Sequence, residues 1–491
     1  MGFKTGDFKT REEYYADLRA MRPNVFKNGR FISDLVTDPD TKGLIENEAT
    51  TYDLLQDPRN DDVLKAKSTL SGDAVVRWHT LMTCPEDLMY NGRVKKLHFH
   101  KVGTCAAGTC TGWNCFNVLW SVTSEIDGQY GTDYHKRLEN WLRDVEHKDY
   151  KIAGALTDAK GDRSKKASQQ TSPDYSVHVS EIRGDGIVVN GAKVMIAHAA
   201  ACHEIICIPG TAYREDEKEY VVAFAVPRDI EGLTLVQTDV AERKQGWDEI
   251  RYGDQSSYLL FENCFIPRER VFMCGEWSHS GTGIGRFTAN YRAAIGSCMS
   301  GQGDVMIGAG VLMARANGLS ANVFKEKFVD MALINDLVYG LGLGAMLAGE
   351  KHPSGVFYAD PTLAHANKCY VAKFYAELRR LCQDIGGGIA ETGCFPDYRD
   401  CTHPEMGPKI MKYVQANPAV SAETRARAAR LTEWFARGGG TLAFVHGGGS
   451  PDGARMVVRA NTPLEYYAQC AADIAGITEK VEDPAPAGKG K

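Results

Sequence analysis

The hydrophobic pattern of this 491-residue chain changes its period twice. Up to about residue 150, and again from about residue 276, apolar residues recur every three or four positions, as on one face of a helix. Between these limits they alternate, as in half-buried strands. The pattern predicts an α+β multidomain protein. Its expected parts are an N-terminal helical domain (1–150), a middle β-barrel or β-sandwich (151–275), a C-terminal four-helix bundle (276–480) and a flexible tail (481–491).

Local signals predict individual elements within these regions. Thr10 and Glu13 form a capping-box pattern that starts a helix. In the middle region, polar turns separate six short runs that are predicted to be strands: 175–182, 186–191, 204–209, 220–227, 233–237 and 258–261. Helices are predicted over 116–145 with a break at 128–132, and over 304–317, 325–349, 363–385 and 421–437.

The composition is that of an ordinary globular protein and excludes several classes. Charged residues make up 24% of the chain and the hydrophobic set 43%, which argues against disorder. The formal net charge of −6 gives no support to nucleic-acid binding. We find neither an apolar run of about 18 residues nor a signal-peptide core, so no membrane span and no export are expected. Fourteen cysteines then fit reduced thiols or metal ligands in the cytoplasm.

Cys105, Cys110 and Cys115 lie close together after a basic, histidine-containing run at 95–101. A further thiol, Cys298, lies in a glycine-rich run. Thiolates at this spacing suit zinc or an iron–sulfur cluster, because one short loop can direct several sulfurs at one metal centre. The alternative is that these cysteines are small buried hydrophobes, as most free cysteines are. The pattern by itself leaves both interpretations open.

A polar segment opens the middle region at 154–163. Thr157 and Asp158 offer short polar groups, while Lys160 and Arg163 offer positive charge to a phosphate. By itself the segment would be interpreted as a surface turn. Followed by the run 185–193, it resembles the flavin-binding region of one family. That family joins 4-hydroxyphenylacetate 3-monooxygenases to 4-hydroxybutyryl-CoA dehydratase/vinylacetyl-CoA isomerase.

The resemblance to the dehydratase branch extends from about residue 10 to about residue 478. Matching segments lie at 125–136, 156–163, 261–267, 303–309 and 446–451. The resemblance implies an acyl-CoA dehydrogenase-like fold, a homotetramer or at least a dimer, and FAD bound non-covalently between the β-domain and the bundle. Arg163 and Lys160 would hold the FAD phosphates, and Thr157 would lie near the ring. The residues that it assigns to the cofactor are Leu156, Thr157, Asp158, Lys160, Arg163 and Lys193.

The dehydratase branch also contains a 4Fe–4S cluster, held by three cysteines and one histidine. Cys110 matches the second cysteine and Cys298 the third, while Cys105 takes the place of the first with one extra residue in the loop. The family pattern needs no ligand at Cys115. This residue is either an alternative thiolate in place of Cys105 or part of the core.

Other positions depart from the family pattern. Tyr291 replaces the histidine ligand, so the fourth cluster ligand is not identified. The family's active-site tyrosine and lysine become Ile295 and Met299, and two glutamates become Ser256 and Ala443.

Proton transfer needs titratable groups within reach of the substrate. Tyr291 and His446 are the predicted catalytic residues, and His198 and Asp254 are further replacements nearby in sequence. For each of them, simple packing or contact with solvent is the alternative.

Three hypotheses about function follow. The first is an FAD- and 4Fe–4S-dependent lyase or isomerase that acts on a different acyl-CoA or a related small molecule. The second is a two-component aromatic monooxygenase that takes reduced flavin from a partner reductase; it would need no cluster, so the cysteines count against it. The third is a subunit that keeps the fold but has lost catalysis. The sequence does not identify the substrate.

Overall fold

The structure is a computed structural model that describes residues 8–105, 107–238, 255–392, 395–436 and 444–479. Asp254, Ala443 and the predicted tail lie outside the described residues. Many helices are combined with two larger sheets, so the predicted α+β class is confirmed. Helices dominate the beginning of the chain, the sheets follow, and long helices end it. The domain boundaries drawn from the sequence stay predictions.

The N-terminal helices are α1 (Arg11–Ala20), α2 (Lys42–Leu55), α3 (Asp61–Leu64), α4 (Pro85–Val102), α5 (Ala107–Tyr130) and α6 (Tyr134–Lys148). The capping box predicted for α1 is present. The hydroxyl of Thr10 accepts a hydrogen bond from the Glu13 backbone N–H, and the Glu13 carboxylate accepts one from the Thr10 backbone N–H. Gly131, with φ 68°, lies between α5 and α6 in the predicted break.

The strands of the six-stranded sheet are β1 (Val25–Lys27), β2 (Arg30–Phe31), β6 (His178–Arg183), β7 (Gly186–Ala197), β10 (Leu233–Gln237) and β11 (Ser256–Pro267), in the order β2-β1-β10-β11-β7-β6. Those of the four-stranded sheet are β5 (Ile152–Ala155), β8 (Glu204–Cys207), β9 (Val222–Pro227) and β12 (Val271–Cys274), in the order β12-β9-β8-β5. Two small hairpins pair β3 (Lys65–Lys67) with β4 (Ala74–Val76), and β13 (Glu350–Lys351) with β14 (Phe357–Tyr358).

The two larger sheets face each other as a sandwich. Phe224 of β9 and Phe261 of β11 are both buried, and their rings meet edge to face at 5.7 Å across the interface. The first 150 residues, predicted to be mostly helical, also contain short strands, and one of them, β1, pairs in parallel with β10. A three-residue strand is too short to show a period of its own, and its partner lies some 200 residues further along the chain.

The C-terminal helices are α7 (Ser280–Ala316), α8 (Asn322–Leu347), α9 (Pro361–Gly386), α10 (Gly388–Glu391), α11 (Tyr398–Cys401), α12 (Gly407–Val414), α13 (Ala422–Ala436), α14 (Pro451–Asn461) and α15 (Leu464–Ala475). α7 packs against α8, α9 and α13 as a bundle, and α4 lies against α7. α7 begins well before the predicted residue 304. The prediction missed its first half because that part is rich in glycine and shows little apolar periodicity. These glycines allow close packing: a Cβ at Gly296 would collide with the Val338 carbonyl of α8.

One helix departs from the expectation that the chain has no apolar segment of membrane length. Among the described residues, α8 is long and apolar enough to cross a membrane by length and composition alone. It packs in the bundle through Met331, Asn335 and Val338, which are buried. Leu333 and Leu337 are at least half exposed on its other side. Helices that pack inside a protein can have the same length and composition. What the structure shows on the exposed side of α8 is therefore only an uncovered apolar surface.

Candidate functional site

Three of the cysteines singled out in the sequence come together around one lysine. Cys105 precedes α5, Cys110 lies in its first turns, and Cys298 lies in the middle of α7; their exposed fractions are 8%, 8% and 7%. Lys95 of α4 is buried beside them. Burial alone would lower the pKa of Lys95, but the neighbouring sulfurs, led by Cys110 and Cys298, raise it above its ordinary value. Lys95 therefore faces these sulfurs from α4, while burial raises the pKa of the Cys298 thiol to about 12.

Cys105 and Cys110 line a pocket together with Lys95, His98 and other residues of α4 and α5. Cys115 does not line it. Burial raises the pKa of the Cys115 thiol well above the ordinary value, and the groups that act on this thiol are Cys207 and Lys193 of the β-sandwich and Cys110. Of the two candidates for the partner of Cys110, the geometry brings Cys105 to this pocket.

The pocket wall contains buried polar atoms without hydrogen-bond partners: both amide atoms of Asn91, His98 Nε2 and Thr109 Oγ1. Buried polar atoms in proteins are nearly always paired, so such a group on one wall is what a site for an ion or polar ligand provides. Within the described part of the chain, no three or more His, Cys, Asp or Glu side chains are grouped closely enough to hold a metal ion. Thiolates are the usual ligands of iron–sulfur clusters, and that donor type is present here, although the Lys95 side chain lies among the same sulfurs.

Tyr291 lies at the same place. It precedes Cys298 by two helical turns, which puts both residues on one face of α7. Lys95 Nζ lies 5.4 Å from the centre of the Tyr291 ring, and Phe287 stacks on this ring at 5.4 Å. Ile295 and Met299 are buried apolar neighbours on the same helix. Of the titratable groups described at this site, Lys95 and Tyr291 approach each other from α4 and α7.

The loop that carries His446 packs over Tyr291. A Cβ at Gly448 would lie 2.9 Å from the Tyr291 ring, and Arg292 Nε donates to the Gly448 carbonyl at 2.9 Å. Lys368 of α9 holds the same loop by donating to the carbonyls of Phe444 and Gly447, both at 2.6 Å. His446 itself is exposed. The structure thus brings its backbone to the site while its side chain faces outwards.

Asp158 and Lys193, both assigned to the cofactor, form a buried ion pair at 2.8 Å. Lys193 Nζ also donates to the carbonyls of Leu156 at 2.8 Å and Ile208 at 3.1 Å. The backbone of Thr157 accepts a hydrogen bond from Val194 N–H at 2.7 Å. Asp158 and Lys193 therefore join the segment to the sheets and neutralise each other's charge.

Lys160 and Arg163 remain at the surface of the same segment. Lys160 has φ 66°, a left-handed conformation that turns the chain. Desolvation lowers the pKa of Lys160; Asp158 opposes this, while the positive charges of Arg163 and Lys193 add to it. An excess of positive charge at a turn is what a phosphate would neutralise.

The sequence did not reveal a buried charge network beside the pocket. His198 Nδ1 lies 2.6 Å from Glu48 Oε1, and Lys151 Nζ pairs with the other oxygen of the same carboxylate; none of the three side chains is exposed. Although burial alone would raise it, the Lys151 and His198 charges lower the pKa of Glu48 far below its usual value. The Trp78 ring lies between this network and the pocket, with Lys151 Nζ 5.5 Å and the His98 ring 6.2 Å from its centre.

His98 and Lys95 were also missed as individual residues. They lie three positions apart on one face of α4, and burial lowers the pKa of His98 to about 3. Their spacing within the basic run just before the cysteines was the available signal.

Comparison with known protein families gives two matches. The model of the 4-hydroxyphenylacetate 3-hydroxylase N-terminal region matches residues 10–273, and that of the C-terminal region matches residues 281–476. The 4-hydroxybutyryl-CoA dehydratase/vinylacetyl-CoA-Δ-isomerase of Clostridium aminobutyricum is 33% identical over 95% of this chain and 99% of its own. The oxygenase component of 4-hydroxyphenylacetate 3-monooxygenase from Thermus thermophilus is 24% identical over 86% and 87%.

Solved structures agree. An oxygen-tolerant archaeal 4-hydroxybutyryl-CoA dehydratase from N. maritimus superimposes with a TM-score of 0.92 and 32% identity, over 98% of this chain and 97% of that one. An oxygenase component of 4-hydroxyphenylacetate 3-monooxygenase in complex with FAD gives 0.82 and 20% over 95% and 98%, which shows a shared fold. The chain therefore belongs to the 4-hydroxyphenylacetate 3-hydroxylase family, and within that family it is similar to the 4-hydroxybutyryl-CoA dehydratases.

Proposed function

We propose that this protein is an FAD- and 4Fe–4S-dependent lyase or isomerase acting on an acyl-CoA or a related small molecule. The observation that carries the proposal is the meeting of Cys105, Cys110 and Cys298 around Lys95, although Cys298 lies about 200 residues further along the chain than the others. Similarity to a dehydratase over nearly the whole of both chains supports the same reaction class.

The three cysteines would hold the cluster, and Lys160 and Arg163 would hold the FAD phosphates. When bound, such groups supply a Lewis-acid iron and one-electron exchange. The chain's own residues would do the rest. Lys95 would offer positive charge to the sulfurs or to a bound substrate, and Tyr291, beside it, would exchange a proton with that substrate. Phe99 and Trp113 in the pocket wall exclude water.

The substrate is proposed to differ from 4-hydroxybutyryl-CoA. Ile295 and Met299 present apolar surface where the family carries titratable side chains, and the cation at this site comes from Lys95 of α4 instead. A cation supplied by α4 instead of α7 would favour a different position of the charged or polarised group of the substrate. The test is an anaerobic screen of hydroxyacyl-CoA and enoyl-CoA thioesters for elimination or isomerisation. Activity on 4-hydroxybutyryl-CoA above all other thioesters would contradict this part of the proposal.

The basic test of the cofactors is an ultraviolet–visible spectrum of anaerobically purified protein with iron and sulfide assays. Bound flavin together with iron and sulfide supports the proposal. Flavin without iron, with hydroxylation of a phenol when reduced flavin is supplied by a reductase, would support the monooxygenase alternative. The full-length match to the 4-hydroxyphenylacetate 3-hydroxylase models makes this the second candidate. Intact folding without any turnover would favour the catalytically inactive subunit.

Arg163→Ala is expected to weaken FAD binding about ten- to a hundredfold. A charge-assisted hydrogen bond contributes about 1.5–3 kcal/mol, and about 1.4 kcal/mol is a tenfold change in Kd. Fluorescence titration of the apoprotein with FAD measures the change. The matched control is Arg183→Ala, since Arg183 is also at the surface of the β-sandwich but pairs with Glu181 at 2.7 Å. Equal affinities in both variants would show that Arg163 does not contact the phosphates.

We expect the protein to form a homotetramer, or at least a dimer. α15 has no buried residue, and Tyr466, Tyr467 and Ile474 on it are 54–91% exposed. Leu333 and Leu337 of α8 are similarly uncovered. Apolar surface of this extent is typical of protein–protein interfaces. Light scattering at micromolar concentration would measure the mass, and a monomeric value would reject the expectation.

A further inference from the structure

We propose that Lys368 of α9 is a positioning residue for Tyr291 and acts through the backbone of residues 444–449, which we call the glycine loop. This role involves neither the cysteines nor a cofactor. The effect expected on turnover rests on the proposed function, in which Tyr291 exchanges a proton with the substrate. The effect expected on the position of the Tyr291 ring does not.

The bundle holds the glycine loop by its carbonyl oxygens. Lys368 Nζ donates hydrogen bonds to the carbonyls of Phe444 and Gly447, both at 2.6 Å. Arg292 of α7 donates to a third carbonyl, that of Gly448, at 2.9 Å. A lysine ammonium group has three donors and no acceptor, so it suits a loop that presents carbonyl oxygens. Two helices of the bundle thus fix the course of this loop.

Lys368 is an unusual residue to bury. Its side chain is fully buried, and burial, together with the charge of Arg292, lowers its pKa to about 8. A buried charge is unfavourable unless it is paired or hydrogen-bonded. The bonds to the two loop carbonyls offset this cost here. The ammonium group is therefore accounted for by the loop that it binds.

The glycine loop in turn constrains the Tyr291 ring. A Cβ at Gly448 would lie 2.9 Å from two carbon atoms of the ring, so the backbone can come this close only because the residue is glycine. Gly448 also has φ 72°, which glycine adopts readily. Phe287 stacks on the same ring, with 5.4 Å between the centres. A displacement of the loop would remove one of these two contacts and free the ring to move.

The test places 3-fluorotyrosine at position 291 alone in the full-length protein and records its ¹⁹F resonance, which reports the surroundings of the ring without substrate or turnover. Lys368→Met should shift and broaden this resonance, because the loop carbonyls lose their donor and Gly448 moves. Lys368→Arg keeps charged donors and should restore the resonance at least in part. Lys373→Met is the matched control, since Lys373 is exposed on the same helix, and it should leave the resonance unchanged.

Turnover is measured with the thioester that proves most active in the anaerobic screen. Lys368→Met should lower kcat about tenfold or more with a smaller change in KM, because a displaced reacting group slows the chemical step. In the Tyr291→Phe background, the same change should lower kcat by less than about twofold, because residues that act as a unit are not additive. A lysine with a merely structural role would lower kcat by the same factor in both backgrounds.

An unshifted ¹⁹F resonance in Lys368→Met, or an equal shift in Lys373→Met, would overturn the proposal and leave the proposed function standing. An additive loss of kcat in the Tyr291→Phe background would do the same. If Tyr291→Phe turns over like the wild type, the role of Tyr291 in the proposed function fails, while the ¹⁹F shift still decides whether Lys368 positions the ring. If Lys368→Met does not fold, Lys368→Gln, which keeps an uncharged donor on a shorter side chain, replaces it with the same expected shift.

Discussion

Cys298→Ser is expected to remove the iron and to lower activity by more than about 100-fold, while FAD still binds. A serine hydroxyl is a harder, more weakly acidic donor than a thiol and holds iron poorly. Losing even a group that only supports a metal ligand typically costs 10–100-fold, so losing a ligand should cost more. Iron and sulfide assays, with the flavin spectrum of the same sample, measure both effects.

The same result is expected for Cys105→Ser and Cys110→Ser. Cys115→Ser is the matched control, because Cys115 is also buried on α5 but faces the β-sandwich. It should keep its iron. Iron loss in Cys115→Ser with full iron in Cys105→Ser would instead make Cys115 the partner of Cys110. Zinc in the wild-type protein, or full iron and activity in all three ligand variants, would reject the cluster.

Lys151→Met is expected to destabilise the fold by about 3–5 kcal/mol. The change leaves the Glu48 carboxylate fully buried with His198 as its remaining partner, and breaking a buried pair in this way typically costs that much. The midpoint of urea unfolding measures the loss. Because Glu48 has a lowered pKa when folded, its ion pairs stabilise the wild type above the ordinary carboxyl pKa, about 4. This stabilisation should be lost as the pH falls below that value.

The control is Lys148→Met, three residues earlier. Lys148 pairs with Asp144 at 2.8 Å on the surface, where both side chains are almost half exposed. Such pairs contribute about 0–1 kcal/mol, so this variant should unfold close to the wild type. A double variant, Lys151→Met with Glu48→Gln, should recover part of the loss because no buried charge is left. Similar losses in both single variants would show that burial of the Glu48 network is not what stabilises the fold.

The sequence predicted the elements that have a clear period of their own. The helices at 322–347 and 361–386 and the strands at 222–227 and 233–237 lie close to where alternation or helical spacing placed them. β5 was missed, because all four of its residues are buried and such a strand shows no alternation. The early start of α7 was missed because the glycines that allow its close packing interrupt the apolar periodicity of the sequence.

At the site, the sequence offered the cysteines and the basic run but not their arrangement. Both Cys105 and Cys115 lie five residues from Cys110 along the chain. The direction of each side chain depends on how α5 packs between the pocket and the β-sandwich. The spacing of the cysteines in the sequence carries no information about this packing. Similarly, Asp158 and Lys193 looked like cofactor contacts, and the fold pairs them with each other. Their assignment to the cofactor stays a prediction.

The sequence by itself determined the α+β class, the family and the set of thiols, because periodicity and motif residues are local properties of the chain. The tertiary structure alone decided which groups meet. It brought Lys95 and His98 of α4 to the cysteines of α5 and α7, and it buried Glu48 against Lys151 and His198. Several of these contacts join segments 100 to 200 residues apart. They form because the packing of apolar helix and sheet faces excludes water around the few charges enclosed between them.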